Sequence, residues 1–568
     1  MIVGIDLGTT NSAVAIWKDG QPVLIPNSLG EQLTPSAVSI DDAGTIMVGK
    51  AALARRSTHP RLAATSFKRF MGTQQRLRLG KTEFRPEELS AFVLRSLKED
   101  VEAFTGEPVS GAVITVPAYF NDRQRKATRK AGELAGLDVR RLINEPTAAA
   151  LAFGVHERQE REPFLVFDLG GGTFDVSIVE MFEGIMEVRA SAGDNRLGGD
   201  DFNDVIADLV ASNTDVGTRF SDVDPQVLPA LLNAAAERAR RQLTESDRSE
   251  FSLVHKDRAF TTQITAADFE RHSAPLLQRL RDPVLRSLRD SRIHVETLSE
   301  IVLVGGATRM PIIRRAITRM FGRFPAATVD PDHAVALGAA VQAGLLARDA
   351  ALEEIRLTDV CPYTLGIETT DRDMRGNYRH GLFSPIIERN TAIPASRVGR
   401  YSTLVDNQRE IRVRIYQGEA REVSANVMLG ELRVPVPARP AGEVGIECRF
   451  TYDSSGLLEV DVSVPATGLT RNLVIFDEAD GIGAKELEER RAALAKLKFH
   501  PRDEARHNAL LARATRCYES FIGERREAIG QWITTFEAAL DSQDPHLISE
   551  AHTRLAQQIE ALEQERFL

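Results

Sequence analysis

The stretch Phe167-Asp168-Leu169-Gly170-Gly171-Gly172-Thr173-Phe174-Asp175-Val176-Ser177-Ile178 decides how the first part of this chain folds. It begins and ends as a β-strand, with three glycines and a threonine between the strands. Because glycine has no side chain, such a turn can aim several backbone N–H groups at one anion. A carboxylate on each side would repel a bare phosphate but suits a phosphate that carries a cation. The stretch therefore predicts a hairpin that binds a nucleotide phosphate and a metal ion.

A second copy of this pattern stands near the N-terminus, in Ile5-Asp6-Leu7-Gly8-Thr9-Thr10-Asn11-Ser12-Ala13-Val14-Ala15-Ile16. When the copies are aligned, Asp6 matches Asp168 and Gly8 matches Gly170. A repeated pattern of this kind indicates a duplicated architecture. We therefore expect two similar α/β halves whose hairpins face one ligand.

Composition limits the classes of protein to consider. The chain has 568 residues, of which 43% are hydrophobic and 27% are charged, as in a soluble protein of several domains. Its net charge of −10 argues against general binding of nucleic acid or anionic membranes, so we expect neither partner. Three widely separated cysteines predict reduced thiols. No long apolar run and no basic leader precede Asp6, and we therefore expect a cytoplasmic protein.

Three regions of different class follow one another along the chain. Residues 1–350 alternate strand-like and helix-like segments, with helices expected over 85–103, 122–135 (N-cap Asp122) and 310–320, which predicts a layered α/β fold. Residues 361–480 show alternation of period two between turns, which predicts an antiparallel β-sandwich. Residues 481–568 have helical composition with apolar stripes. A short connector, 351–360, joins the first two regions.

Several motifs together resemble the 70-kDa heat-shock protein (DnaK-type) chaperones over nearly the whole chain. Besides the two hairpins, they are Val113-Ile114-Thr115-Val116-Pro117-Ala118-Tyr119-Phe120-Asn121-Asp122, Asn144-Glu145-Pro146-Thr147-Ala148-Ala149-Ala150 and Val302-Leu303-Val304-Gly305-Gly306-Ala307-Thr308-Arg309-Met310-Pro311. The resemblance implies an actin-like α/β ATPase domain of duplicated ribonuclease-H-like halves, an interdomain linker, a peptide-binding sandwich and a helical lid, over the ranges given above. The short lid and compact nucleotide domain most resemble the specialised HscC subgroup.

The resemblance also implies which residues hydrolyse ATP. Lys68 matches the lysine that the family needs for hydrolysis. Glu145, Thr173 and Asp175 match groups around the attacking water and bound monovalent cations such as K⁺. Asp6 and Asp168 match the carboxylates that hold Mg²⁺, mainly through its waters. Phosphoryl transfer depends on positioning and on cationic stabilisation of the γ-phosphate, which a lysine and a metal can supply.

The residues implied to bind ATP or ADP come from both hairpins, one helix and one glycine turn. They are Gly8, Thr9, Thr10, Asn11, Gly170, Gly171, Gly172, Thr173, Glu237, Arg240, Arg241, Thr244, Gly305, Gly306, Arg309 and Asp332. By resemblance, Arg240 and Arg241 flank the adenine and Glu237 faces the ribose. Arg240 stands where lysine is more usual, and its guanidinium plane can stack on a base at least as well.

The peptide site is implied at six positions of the sandwich: Ile367, Thr370, Tyr401, Leu404, Ile411 and Val413. Thr370 and Leu404 match two residues that arch over the peptide, where the bacterial type member has methionine and alanine. An extended hydrophobic peptide would be held by main-chain hydrogen bonds and by one apolar side chain in the pocket. Each of these residues could equally belong to the core of the sandwich.

Communication between the domains is implied at Pro117, Arg125, Arg129, Arg141, Leu357 and Asp359. The family's linker is a run of leucines before an aspartate, but Arg356 and Thr358 occupy two apolar positions here. Since a more polar linker buries less apolar area, we predict weaker or differently tuned coupling. We expect a J-domain co-chaperone as a partner. We do not expect dependence on the usual nucleotide-exchange factor, because the hairpin at 248–261, where that factor grips, is compact.

Two other functions stay open at this point. An actin-like small-molecule kinase would share both hairpins, although residues 361–568 add no second catalytic cluster to serve it. A non-cycling, ATP-gated binding protein would keep the fold without hydrolysis. Lys68 and Thr173 favour hydrolysis over this third possibility, which absence of single-turnover hydrolysis would support. ATP consumption only with a sugar acceptor would support the kinase.

Overall fold

The computed structural model describes residues 1–565 apart from 42–43, 156–160, 183–184, 226, 257, 327–329, 350–351, 353–355, 373–377, 454–455, 476–504, 522 and 543–544. The chain divides into two compact units, Met1–Pro362 and Tyr363–Leu568. The division falls just after the expected linker. No helix in the described part of the chain is both long and apolar enough to cross a membrane.

The first sheet of the N-terminal unit contains the N-terminal hairpin. Its strands lie in the order Val139–Asn144, Gly111–Val116, Ile2–Asp6, Asn11–Lys18 and Gln21–Leu24, and Thr34–Pro35 also pairs with Asn11–Lys18. Ile2–Asp6 and Asn11–Lys18 pair antiparallel, whereas Gly111–Val116 pairs parallel with Ile2–Asp6. Every residue of Gly111–Val116 is buried, as expected for a parallel strand covered on both faces.

The second sheet repeats this arrangement around the central hairpin. Its strands lie in the order Ile301–Val304, Arg161–Leu169, Phe174–Phe182, Ile185–Asp194 and Arg356–Val360. Arg161–Leu169, Phe174–Phe182 and Ile185–Asp194 form an antiparallel meander, and Ile301–Val304 adds a parallel strand to it. Residues of the expected linker form the strand Arg356–Val360, parallel to Ile185–Asp194. Both sheets therefore consist of an antiparallel meander with a parallel strand beside its first member.

Eleven described helices and several short strands complete this unit. The helices are Lys50–Thr58, Pro86–Thr105, Asp122–Leu134, Glu145–Val155, Gly199–Asn213, Val216–Arg219, Leu228–Gln242, Ala266–His272, Ala274–Ser291, Pro311–Phe321 and Ala334–Leu346. The short strands are Ala37–Ile40, Ile46–Val48, Ala63–Thr65, Leu77–Leu79, Thr82–Phe84, Arg248–His255 and Arg258–Thr265. Asn121, and not Asp122, caps the helix Asp122–Leu134, because the Asn121 side chain accepts from the backbone N–H of Gln124.

Two alanine- and glycine-rich helices join the halves of the unit. Ala334–Leu346 packs against the helix Glu145–Val155 and against the strands Ile2–Asp6 and Asn11–Lys18 of the first sheet. The approach is close, because a Cβ on Gly338 would collide with the Ala148 carbonyl and one on Gly4 would collide with the Ala340 backbone. Strands of both sheets contribute buried residues to the same core, among them Val113 and Val166.

The C-terminal unit begins as an antiparallel sandwich. One sheet has the order Tyr378–Ile387, Leu365–Arg372, Glu410–Gln417 and Val427–Pro435, and the other has Ala395–Ser402, Gly445–Tyr452, Leu458–Val464 and Leu469–Ile475. The expected alternation is confirmed: Ile446, Cys448 and Phe450 are buried, and so are Val460, Val462 and Val464. Alternate residues of these strands face one core.

The helices Ala505–Ser520, Glu524–Ser542 and Pro545–Glu565 follow and share a core that includes Leu510, Ile529, Phe536 and Leu555. The expected helical segment from 481 to 504 lies outside the described residues. The three cysteines are all described, are buried and form no disulfide, as expected for reduced thiols.

Candidate active site

The two glycine hairpins meet across one cleft in the N-terminal unit. The cleft encloses a cavity of about 350 Å³. The turns approach so closely that a Cβ on Gly171 would collide with the Thr10 hydroxyl. Gly305, at the end of a third strand, has φ 81° and faces the Leu169 carbonyl. Glycine is therefore required where backbone from three segments converges on one space.

Lys68 is held at the inner end of this cleft by a buried ion pair. Its Nζ lies 2.7 Å from Glu145 Oε1, and the two residues are only 2% and 7% exposed. Lys68 belongs to the short 3₁₀ helix Phe67–Phe70, and its ammonium lies 5.6 Å from the centre of the Phe120 ring. In this desolvated setting a positive charge interacts strongly with any phosphate that enters.

Three aspartates surround the ion pair. Burial, together with the charge of Glu145, raises the pKa of Asp6 to about 7 and that of Asp175 to about 8. The same two causes raise the pKa of Asp168 well above its usual value. Asp6 accepts a hydrogen bond from Thr115 Oγ1 at 2.9 Å, and Asp175 accepts one from the Tyr119 backbone N–H at 3.2 Å. These four carboxyl groups outnumber the ammonium of Lys68, so they cannot all ionise unless further positive charge enters the cleft.

This excess suits a divalent cation brought in with phosphate. Asp168 Oδ2 is buried and has no hydrogen-bond partner in the described part of the chain, so it is available as a metal ligand or as an acceptor for metal-bound water. Among the residues described, no group of three or more acidic, histidine or cysteine side chains forms a metal cage. Mg²⁺ needs no such cage, because it keeps several waters and uses one or two carboxylates plus substrate phosphates. Asp6 and Asp168 fit that donor set.

The outer end of the cleft is lined by arginines fixed by acidic or amide partners. Arg240 Nε donates to Asn203 Oδ1 at 2.7 Å, and Arg241 pairs with Glu237 at 2.8 Å. Arg309, in the 3₁₀ turn Gly306–Arg309, donates to Asp332 at 2.9 Å. Planar guanidinium groups held in this way can stack on a nucleobase.

The structure brings most of the expected nucleotide residues together. Those lining the cleft are Asp6, Gly8, Thr9, Thr10, Asn11, Lys68, Glu145, Asp168, Gly170, Gly171, Thr173, Glu237, Arg240, Arg241, Thr244, Gly305, Gly306, Arg309 and Asp332. Gly172 and Asp175 do not line it. Gly172 instead packs against Thr9 and Arg69, and Asp175 lies behind the cleft, against Tyr119.

Sequence reasoning missed the helix that begins beside the central hairpin. Gly199 and Asp200 line the cleft, and the backbone N–H of Gly199 donates to the Gly170 carbonyl. Asp200 accepts from the Ser66 hydroxyl at 2.6 Å. Two glycines followed by two aspartates at 198–201 were the available signal, since acidic residues favour the first turn of a helix.

A second set of expected residues lies where the linker strand meets the first sheet. Asp359 accepts from Asn144 Nδ2 at 3.0 Å and from Thr147 Oγ1 at 3.4 Å, and Asn144 Oδ1 accepts from Arg125 at 2.6 Å. Burial raises the pKa of Asp359, and the nearby Arg125 and Arg141 oppose that rise. Asn144 and Thr147 were missed as site residues, although both lie in a motif quoted above.

The other expected communication residues have structural partners. Arg129 donates to the Val139 carbonyl at 2.7 Å, which holds its helix to the edge strand. Pro117 follows the strand Gly111–Val116, and its carbonyl accepts from the backbone N–H of Phe120. Leu357 is aligned with Met186 in the parallel strand pair.

The six expected peptide residues occupy the sandwich. Ile367 and Val413 are buried at 3% and 1% exposure, whereas Thr370, Tyr401, Leu404 and Ile411 are half-buried. Ile367 pairs with Ile415 and with Ser384 on neighbouring strands, and the Tyr401 hydroxyl lies 3.1 Å from Ser384 Oγ. Because directly paired residues share a face, Tyr401 reaches from one sheet to the face that carries Ile367.

Comparison with known proteins gives consistent matches along the chain. A family model described as Hsp70 protein matches residues 2–78 and 75–567. Proteins named "Chaperone protein DnaK" from Thermotoga petrophila, Thermotoga maritima and Thermotoga neapolitana are each 42% identical over 487 residues. Each of these alignments covers 84% of this chain and 80% of the relative.

Proposed function

Because this chain belongs to the Hsp70 family of ATP-dependent chaperones and is an ATPase, we propose that its nucleotide cleft controls how the β-sandwich holds extended hydrophobic peptides. The observation that carries this proposal is the position of two adjacent residues. Glu145 faces the cleft and pairs with Lys68, while Asn144 faces the linker and bonds Asp359. A change at the phosphate end can therefore pass from Glu145 to the adjacent Asn144, and from Asn144 through its hydrogen bond to the linker strand.

Lys68 and the hairpin turns perform the chemistry at the phosphate end. The turns at Gly8 to Asn11 and Gly170 to Thr173 offer backbone N–H groups to the phosphates. Lys68 stabilises the charge that develops on the γ-phosphate. Glu145 keeps the ammonium in place, and Thr173 orients the attacking water. Asp6 and Asp168 would hold Mg²⁺, which would supply positive charge beside the phosphates, and Asp175, behind the cleft, is the carboxylate that would suit a monovalent cation such as K⁺.

The nucleoside end selects adenosine by stacking and by polar contacts. Arg240 and Arg241 hold the base between them, and Glu237 accepts from the ribose. Arg309 and Asp332 close the opposite wall. The side-chain bonds that already fix these residues support this role, because groups ordered before binding lose less entropy when the ligand arrives.

Coupling passes through the linker strand. Its residues 356–358 pair with Ile185–Asp194, and this pairing uses main-chain groups that do not depend on the polar side chains of Arg356 and Thr358. We therefore infer that the linker docks in this chain, with a smaller apolar contribution than a leucine run provides. We therefore expect peptide and a J-domain co-chaperone to stimulate ATP hydrolysis only modestly.

We also propose, from the short lid and the compact nucleotide domain, that the chain belongs to the short-lid, HscC-like subgroup. Three described helices over 505–565 form the segment that we assign as a lid. We assign the sandwich to 361–480, the lid to 481–568 and the ATPase domain to 1–350. The altered arch at Thr370 and Leu404 points to specialised peptide clients.

An array of overlapping short peptides, probed with the chain in ATP and again in ADP, tests the proposal. Leucine- and valine-rich peptides are expected to bind, with clearly lower affinity in ATP than in ADP. Equal binding in both nucleotides would refute the proposed coupling. ATP consumption that depends on a small-molecule acceptor would favour the kinase alternative, and absence of single-turnover hydrolysis would contradict the assigned catalytic roles.

A further inference from the structure

A tyrosine joins the two sheets of the sandwich at one end. Tyr378 is the first residue of Tyr378–Ile387, and its hydroxyl donates a hydrogen bond to the Leu404 carbonyl at 3.3 Å. Leu404 follows Ala395–Ser402, which belongs to the opposite sheet. The bond therefore connects the end of a strand in one sheet to a loop that leaves the other.

Both sides of this bridge are held in place independently. The Leu404 backbone N–H donates to Gln408 Oε1 at 2.9 Å, and Gln408 Nε2 donates to the Glu410 carbonyl at 2.9 Å. On the other side, Thr370 Oγ1 lies 2.9 Å from His380 Nδ1. The pairing register shifts between Thr369 and Asp371, a bulge that redirects side chains there. Residues held by hydrogen bonds on both sheets thus meet through one hydroxyl.

Apolar groups surround the bridge at the surface. The Tyr378 side chain is 37% exposed and Val405 is 46% exposed, although both lie next to half-buried Leu404. Tyr401 and Ile411, also half-buried, lie on the strands that lead towards this end. Exposed apolar side chains beside a bond that joins the two sheets suit an apolar segment held next to Tyr378 and Leu404.

On the basis of the proposed function, we propose that Tyr378 is the latch of the peptide site. Its bond to Leu404 opens when an extended peptide enters or leaves, and it forms again in the free and in the peptide-bound state. Because the bond is present in both end states and absent in the opening step, it slows binding and release together. It leaves the equilibrium affinity nearly unchanged.

Tyr378→Phe tests this role, since it removes the hydroxyl and keeps the ring. The probe is the leucine-rich peptide bound most tightly in the array, carrying a fluorophore, with kon and koff measured in ADP. Both rates are expected to rise by roughly 2- to 10-fold, the factor that one net hydrogen bond is worth, while Kd stays within about twofold. Tyr452→Phe, which removes a hydroxyl elsewhere in the same sandwich, is expected to change neither rate.

Two results would overturn the latch while leaving the proposed function intact. Unchanged rates in Tyr378→Phe would show that the bond does not limit exchange. A rise in koff alone, with an equal loss of affinity, would make the hydroxyl a direct peptide contact. If the unaltered chain bound no peptide of the array in either nucleotide, the proposed function would itself be refuted, and the latch with it.

Discussion

Removing the Asn144 side chain is predicted to release the linker without breaking the ion pair between Lys68 and Glu145. In Asn144→Ala, Asp359 loses its 3.0 Å bond and retains a longer contact to Thr147 and the N–H of Val360. A hydrogen bond to a charged group is worth about 1.5–3 kcal/mol, which corresponds to a roughly 10- to 150-fold shift of the docking equilibrium towards the undocked strand. Lys68 and Glu145 keep their 2.7 Å contact.

The assay has two readouts, hydrogen–deuterium exchange of the amides in 356–360 and stimulation of ATP hydrolysis by peptide. Exchange of these amides is expected to accelerate by the same roughly 10- to 150-fold. The rate of ATP hydrolysis with peptide is expected to fall towards the rate without it. Asn233→Ala is a matched control, because Asn233 likewise accepts from an arginine at 2.7 Å and donates to an aspartate at 2.8 Å. Unchanged exchange in Asn144→Ala, or an equal change in the control, would refute the reasoning.

Three further predictions concern the phosphate end and the linker. Lys68→Ala is expected to slow single-turnover hydrolysis by about 10²–10³-fold, the usual cost of losing one preorganised charge-stabilising group, whereas Lys18→Ala on the exposed surface is expected to have no effect. Gly171→Ala is expected to weaken ATP binding, measured by calorimetry, by at least about 10-fold, because its Cβ collides with the facing hairpin; Gly217→Ala, which meets open space, provides the control. Docking of the linker is expected to strengthen as pH falls, because the docked strand raises the pKa of Asp359 above its undocked value and so binds a proton more readily. This extra stability of the docked strand is fully present below the undocked pKa of Asp359 and is lost as pH rises through the docked pKa. Hydrogen–deuterium exchange of 356–360, measured against pH, should show this dependence in the unaltered chain and lose it in Asp359→Asn.

The sequence predicted those parts of the fold whose signal is local. The alternation of apolar and polar residues in Leu458–Val464 predicts which side chains face the core. The glycine hairpins can also be predicted, because backbone contact there excludes any side chain and so requires glycine. The ends of the helices are predicted less accurately than their positions in the chain. Pro86–Thr105 extends slightly beyond the expected end because the left-handed residue that stops it is Gly106.

Contacts between distant segments could not be read from the sequence. Asp200 reaches the cleft only because Gly199 bonds the carbonyl of Gly170. Asn144 finds its partner Asp359 only because the linker strand lies beside it. The hydrogen-bonded partner of Tyr378 is 26 residues away, and nothing in the local pattern of either segment indicates their pairing.

In the linker, the side chains and the backbone lead to different expectations about docking. Arg356 and Thr358 suggested weak docking, because side-chain hydrophobicity is what a sequence displays most directly. The strand pairing at 356–358 uses backbone groups, which every residue type except proline can supply. Whether the missing apolar area weakens signalling is therefore a question of energy and not of geometry.

We propose that the linker strand responds to the nucleotide through Asn144 and Glu145. The most direct measurement compares hydrogen–deuterium exchange of 356–360 in ATP and in ADP, for the unaltered chain and for Asn144→Ala. The exchange rates of the unaltered chain are predicted to differ between the nucleotides, and Asn144→Ala is predicted to abolish that difference. Identical exchange in ATP and ADP, or a difference that survives in Asn144→Ala, would contradict the claim.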